Sequence, residues 1–333
     1  MISKTLDFDD LFQFAGVCKN WMFFHKIYLR NFMASQEPLL LRIPYYKSFS
    51  FISIPDQKVY CLKMIESFSY TTYVTCSSRY FIMTTYNNSL RLINPFTRIT
   101  KVINGPTSEV KSYLSTKRAL LAFVKCSEEF VLVVLYGRSL YVYQSRNCGW
   151  VVYSTKGNPV KVIDFVVLHN IIYVVTNKAN IGVLSLNSAE IKFLKLKNIP
   201  NVTHFSSLRL VNCDEQLLVV NFKSNEIKNV YKIDFSTMNY VKLVTLGDIA
   251  LFYVSKFCQS NCYALSNPNR WGYESNSMYA IKSSSTMCSV YSGDDKKLQK
   301  SVMLPAPNKT NWFQIADWCF RHLQYEVDYS LVE

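Results

Sequence analysis

The chain is 333 residues long, 49% hydrophobic and 15% aromatic, with a formal net charge of +14. It has apolar material for a sizeable core, but no apolar run reaching the ~18 residues of a membrane-spanning helix. Residues 1–10 carry acids where a secretory signal would carry an apolar segment, so an intracellular protein is expected, in the cytoplasm or nucleus.

The first predicted element is a helix over residues 11–28, preceded by Asp7-Phe8-Asp9-Asp10. Asp9 or Asp10 is placed to cap its N-terminus, where negative charge also suits the helix dipole. Leu11, Phe14, Val17, Cys18 and Trp21 recur at spacings of three and four, which puts them on one apolar stripe. Such a stripe either packs on the rest of the chain or docks on a partner.

Beyond it the chain reads as β-strands. Residues 80–84 lead through Tyr86-Asn87-Asn88 into 90–93 and 99–103. Residues 130–135 form an unbroken apolar run, as in a strand buried on both faces. Tyr136-Gly137-Arg138-Ser139 then turns the chain into 140–143, and a polar loop ending at Gly149 leads into 150–153. The same unit of strand, turn, strand, turn, strand returns at 171–196, at 217–244 and at 278–304. The interval is about 40–60 residues, near that of propeller blades, and roughly 24 candidate strands suffice for about six four-stranded blades. A β-sandwich followed by a second β domain is the alternative, but it does not explain the repeat. In a closed ring, the region before Lys58 should pair with residues 298–304 or cap that junction. Gly247-Asp248 reads as a turn, with Gly supplying a positive φ.

The ten cysteines fit a reducing compartment. Cys61, Cys76, Cys126, Cys213 and Cys288 lie within strand-like runs and are expected to be free, mostly buried and inert. Cys258 and Cys262 form a lone Cys-x-x-x-Cys, and His25, His169, His204 and His322 join no cluster, so no metal site is expected. Lysines are scattered, with small groups at 192–197 and 296–300. Without a basic run interleaved with aromatics, the charge reads as solvated turns and strand faces rather than a nucleic-acid or membrane patch. It is nonetheless suited to steering an acidic protein partner. There is no Gly-x-Ser-x-Gly elbow, no phosphate-binding loop and no His-Glu-x-x-His, and nothing points to a catalytic carboxylate pair.

Residues 10–21, with Val17-Cys18-Lys19-x-Trp21 at their end, resemble the second half of an F-box. Residues 2–6 match only the tail of its first helix, so an N-terminally truncated F-box is expected. The downstream chain resembles the plant F-box proteins that carry a KIB-type β-propeller. The landmarks are Pro38-Leu39-Leu40-Leu41, Leu92-Ile93-Asn94-Pro95-Phe96-Thr97, Val162-Ile163-Asp164-Phe165-Val166, Leu217-Leu218-Val219-Val220, Leu246-Gly247-Asp248-Ile249-Ala250-Leu251-Phe252 and Asn311-Trp312-Phe313. Tyr240 stands where the family usually has Trp, and the strand at 277–280 is weaker than the family's.

The resemblance implies a mainly β fold, a propeller of about six blades over residues 35–333, preceded by a short α-helical partial F-box over residues 1–34. It implies a substrate-recognition subunit of a Skp1–cullin–F-box ubiquitin ligase, non-catalytic and without a cofactor. Leu11, Phe14, Val17, Cys18 and Trp21 would dock on a Skp1-type adaptor, and the propeller would hold an unidentified protein substrate. A propeller interaction module with a degenerate F-box, outside any ligase, is the alternative. A propeller enzyme is a third reading, which a pocket of converging acids or histidines would revive.

Overall fold

A computed structural model describes residues 38–44, 48–63, 71–95, 97, 99–106, 116–136, 139–153, 160–202, 208–224, 226–255, 261–283, 285–305, 313–320 and 324–332. These residues form six antiparallel or mixed sheets arranged as the blades of a propeller. The first blade holds β1 (Leu39–Pro44), β2 (Ser48–Ser53) and β3 (Lys58–Lys63). The second holds β4 (Thr71–Ser77), β5 (Tyr80–Thr85), β6 (Leu90–Ile93) and β7 (Thr100–Ile103). In the third are β8 (Thr116–Val124), β9 (Phe130–Tyr136), β10 (Ser139–Gln144) and β11 (Gly149–Tyr153). The fourth consists of β12 (Val162–Leu168), β13 (Ile171–Thr176), β14 (Ile181–Ser185) and β15 (Glu190–Phe193). The fifth consists of β16 (Leu208–Cys213), β17 (Gln216–Lys223), β18 (Glu226–Asp234) and β19 (Asn239–Leu243). The sixth holds β20 (Ile249–Ser255), β21 (Cys262–Ser266), β22 (Ser277–Lys282), β23 (Met287–Ser292) and β24 (Leu298–Met303). Finally β25 (Phe313–Cys319) returns to the first blade and β26 (Glu326–Val327) reaches the third.

Each sheet buries both faces, because a twisted β meander has an apolar surface on either side to cover. Six apolar clusters accordingly lie between neighbouring blades. Phe49, Phe51 and Phe81 pack the first blade on the second. Phe252, Tyr273, Tyr279 and Trp318 pack the sixth on the first, with Phe252 and Tyr279 stacked at 5.0 Å. Outermost strands are solvated and carry lysines: Lys101 on β7, Lys192 on β15, Lys242 on β19 and Lys300 on β24. Lysine on an exposed edge discourages edge-to-edge pairing, and these residues account for part of the positive charge.

Two expectations are corrected here. The ring is not closed by residues 298–304, of which Leu298–Met303 form the outermost strand of the sixth blade. It is closed by β25, which pairs antiparallel with β1 in the register Leu39↔Cys319, Leu40↔Trp318, Leu41↔Asp317. The sixth blade also has five strands, in the order β21-β20-β22-β23-β24, where four were expected. Strand β20 is sandwiched between β21, antiparallel, and β22, parallel. A parallel neighbour needs a crossover, and a 3-10 turn at Pro268–Trp271 lies within it. Gly272 ends that turn at φ 77, against Pro55, where an added Cβ would come within 2.9 Å of the ring.

Among the described residues eight cysteines are free, as expected, but Cys61 and Cys126 are exposed rather than buried. Cys61 lies on β3, the outer strand of its blade, and Cys126 occupies a turn at φ 58. The predicted helix and Cys258 lie outside the described residues.

Candidate functional site

The innermost strand of each blade faces the propeller axis: β25, β4, β8, β12, β16 and β21. Polar side chains from five of them converge there. Four of these strands carry a β-bulge at the converging residue. The register skips Val74 between Tyr73 and Thr75, Lys117 before Arg118, Ile163 before Asp164 and Ala316 before Asp317. A bulge breaks the alternation of a strand and re-aims a side chain.

Asp317 is fully buried and is the hub. Its Oδ2 accepts hydrogen bonds from Asn261 Nδ2 at 2.6 Å, Tyr263 Oη at 3.0 Å, Tyr73 Oη at 3.1 Å and Thr75 Oγ1 at 3.3 Å. Its Oδ1 accepts from the Trp318 N–H at 2.9 Å. Burial, and then the Asp317 charge, hold the phenols of Tyr73 and Tyr263 well above the usual tyrosine range, so both remain donors. Asn261 Oδ1 in turn accepts from Arg118 Nη1 at 2.5 Å. Arg118 Nη2 stands 2.6 Å from Oδ1 of Asp164, an ion contact without the angles of a hydrogen bond. Asp164 Oδ2 takes the Leu210 N–H at 2.9 Å, which ties the fourth blade to the fifth. The chain of contacts thus joins every blade of the ring around its axis.

A cavity of about 40 Å³ remains beside this network, lined among others by Thr75, Cys76, Arg118, Asn261, Tyr263 and Tyr325. It has room for a few waters, far short of a small-molecule pocket. The C-terminal segment covers the end where β4, β8 and β12 finish. The Phe123 and Lys125 N–H groups donate to the carbonyls of Tyr325 and Val327 at 2.9 and 3.0 Å. Ser78 Oγ accepts the Tyr325 N–H at 2.9 Å, Asp328 N–H reaches Asn170 O at 3.0 Å, and Arg146 lies 3.7 Å over the Tyr329 ring.

The two axial carboxylates are thus engaged with donors from neighbouring blades, in an arrangement that staples strands. Among the described residues no group of three or more His, Cys, Asp or Glu is placed to hold a metal ion. Neither Asp164 nor Asp317 was singled out from the sequence as a functional residue. The stripe of Leu11, Phe14, Val17, Cys18 and Trp21 lies outside the described residues. The two sequence landmarks that fall in loops are turns. Gly247 has φ 59, and Asp248 Oδ1 accepts from Ser275 Oγ at 2.7 Å. Asn94 Oδ1 caps the Thr97 N–H at 3.1 Å.

Buried thiols and phenols give the fold an alkaline limit. Burial pushes the thiols of Cys213, Cys262 and Cys288 up to about 12, and the Tyr279 phenol likewise to about 12. In the unfolded chain these groups titrate near ~8.5 and ~10. Below ~8.5 both states hold their protons and stability is full. As pH climbs towards about 12, the unfolded chain releases protons that the folded chain keeps. Each group then removes up to ~1.4 kcal/mol per pH unit. Melting curves followed by circular dichroism should show a midpoint that is level from pH ~7 to ~8 and falls steeply above pH ~9. A level midpoint through pH ~11 would contradict the burial of these groups.

The fold is therefore a six-bladed propeller whose axis is filled by its own side chains. Residues 51–302 match the family described as KIB1-4 beta-propeller, and the chain belongs to that family. Solved structures with some likeness include two of AztD from Citrobacter koseri, one of them apo. Their identities are 14% and 13%, with TM-scores of 0.39 and 0.40. Each alignment covers 67% of this chain and 61% of the AztD chain, so this chain spans less than two thirds of AztD. No curated protein matches the sequence significantly.

Proposed function

We propose that this chain is the substrate-recognition subunit of a Skp1–cullin–F-box ubiquitin ligase, a non-catalytic adaptor in which the propeller binds the target protein. The observation that carries the reading is the juxtaposition in one chain of the F-box-like residues 10–21 with a propeller of the KIB1-4 family over residues 51–302. The coarser reading, a protein-interaction module, rests on the family and the fold together. Rigid blades hold loops at two faces, and loops on a rigid scaffold are the usual seat of recognition. With the axis occupied, those loop faces and the outer edges are what the propeller offers a partner. Leu11, Phe14, Val17, Cys18 and Trp21 are assigned to the Skp1-type adaptor, through which the cullin is reached.

The test is a titration of purified Skp1-type protein against the full chain. Saturable binding is expected. Trp21→Ala should weaken it at least ~10-fold, since a buried Trp anchor at an interface core is worth ~2 kcal/mol or more. The thermal midpoint should stay unchanged. If neither form binds, and Trp21→Ala only lowers the midpoint, the stripe packs on the propeller and the ligase reading falls.

A further inference from the structure

Cys76, on β4 of the second blade, and Cys319, at the end of β25 in the first, face each other across a blade boundary with their sulfurs 3.6 Å apart. Both are buried and both are free thiols. They belong to the apolar cluster between those two blades, with Phe81 and Leu39. The two strands run side by side on the inner ring. Cys76 is among the residues lining the axial cavity, which has room for a molecule of water's size. We propose that Cys76 and Cys319 are a reversible disulfide site that latches the closing strand to its neighbouring blade.

The chemistry needs a small peroxide as oxidant. The Cys76 sulfur attacks one oxygen of hydrogen peroxide, the O–O bond breaks, and a sulfenic acid and one water result. The Cys319 sulfur then attacks the sulfenic sulfur, the S–S bond forms and the sulfenic oxygen leaves as a second water. Two thiols thereby give up two electrons, and peroxide is reduced to two waters. Cys76 is the thiol that meets the peroxide first, because it borders the cavity. Its hydrogen bond with Cys319 and its burial keep the thiol protonated above the ordinary range, so the reaction is slow beside that of an exposed thiol.

The position gives the bond its consequence. Residues 76 and 319 are 243 apart in sequence. A cross-link between them would close nearly the whole ring, and on the chain-entropy account stabilisation grows with the loop enclosed. Strand β25 is otherwise attached to β1 by backbone hydrogen bonds and to β4 by the Tyr73 and Thr75 hydrogen bonds to Asp317.

The experiment oxidises the native full-length protein with millimolar hydrogen peroxide, removes the oxidant with catalase and alkylates the remaining thiols in denaturant. Peptides are then mapped by mass spectrometry without reduction. A cross-linked pair containing Cys76 and Cys319 should accumulate. The thermal midpoint should rise by roughly 5–10 °C and return on adding dithiothreitol. A Cys61→Ser/Cys126→Ser/Cys148→Ser variant, which lacks the three exposed thiols of the described residues, should keep the response, and Cys319→Ala should lose it. Oxidation confined to Cys61, Cys126 and Cys148, with the 76–319 pair appearing only after denaturation, overturns the proposal. So does a cross-linked protein that melts no higher than the reduced one. The peptide map of the unsubstituted protein decides the matter even if Cys319→Ala fails to fold.

Discussion

Removing residues 313–333 is expected to leave an unfolded chain rather than a propeller one strand short. The deletion takes away β25, and with it six residue pairs along β1. Leu39, Leu40 and Leu41, all fully buried, lose the strand that covers their edge. Trp318, fully buried among Phe252 and Tyr273, goes too. Truncating one buried Trp costs ~3–5 kcal/mol by itself. The deletion also removes Asp317, Cys319, Phe320 and Val327 from the interior. Together these exceed the ~5–15 kcal/mol that holds a domain of this kind folded. A flat near-ultraviolet dichroism spectrum and no cooperative melting transition are expected. A sharp transition within a few degrees of the parent's would mean that the ring does not depend on β25.

A second large effect is expected from Asp317→Ala. The substitution removes the acceptor that Tyr73, Tyr263, Thr75 and Asn261 share, and leaves Thr75 and Asn261 only their longer 3.4 Å contacts with Cys76 O and Thr75 Oγ1. Each stranded buried donor costs ~1–3 kcal/mol, and breaking up a buried charged network typically costs ~3–5 kcal/mol in total. At ~2–4 °C per kcal/mol, the thermal midpoint should drop by roughly 10 °C or more. Asp317→Asn keeps the shape and one acceptor oxygen, so it should fall between the parent and Asp317→Ala. A loss below ~1 kcal/mol for Asp317→Ala would show that waters from the adjoining cavity replace the carboxylate, and that the axis does not depend on it.

The blades were legible in the sequence because neighbours in a meander are neighbours in the chain. The run at 130–135 is β9, Phe130–Tyr136, and the run at 171–175 is β13, Ile171–Thr176. Turn chemistry at Gly247 was equally local. Three features were not local, and alternation of apolar and polar residues did not reveal them. The axial residues come from inner strands spread from Tyr73 to Asp317, and bulges at Val74, Lys117, Ile163 and Ala316 break the period that would have marked them. The closing strand holds Asp317, which reads as polar and exposed until its five donors are seen. In the sixth blade, β20 pairs with β22 rather than only with its sequence neighbour β21, and a crossover of this kind leaves no periodic trace. Cys61 looked buried because it sits in an apolar run, but the outer strand of a blade turns one face to water.

The claim that one chain carries two separate docking surfaces is tested most directly by capture from cells, with the full-length chain and its Trp21→Ala variant as baits. The account predicts that the unsubstituted bait retains a Skp1-type protein, a cullin and one or more further proteins. The variant should lose the adaptor and the cullin together while keeping the further proteins, because the stripe and the propeller bind independently. Capture in which no Skp1-type protein accompanies the unsubstituted bait, or in which Trp21→Ala removes every partner at once, would contradict it.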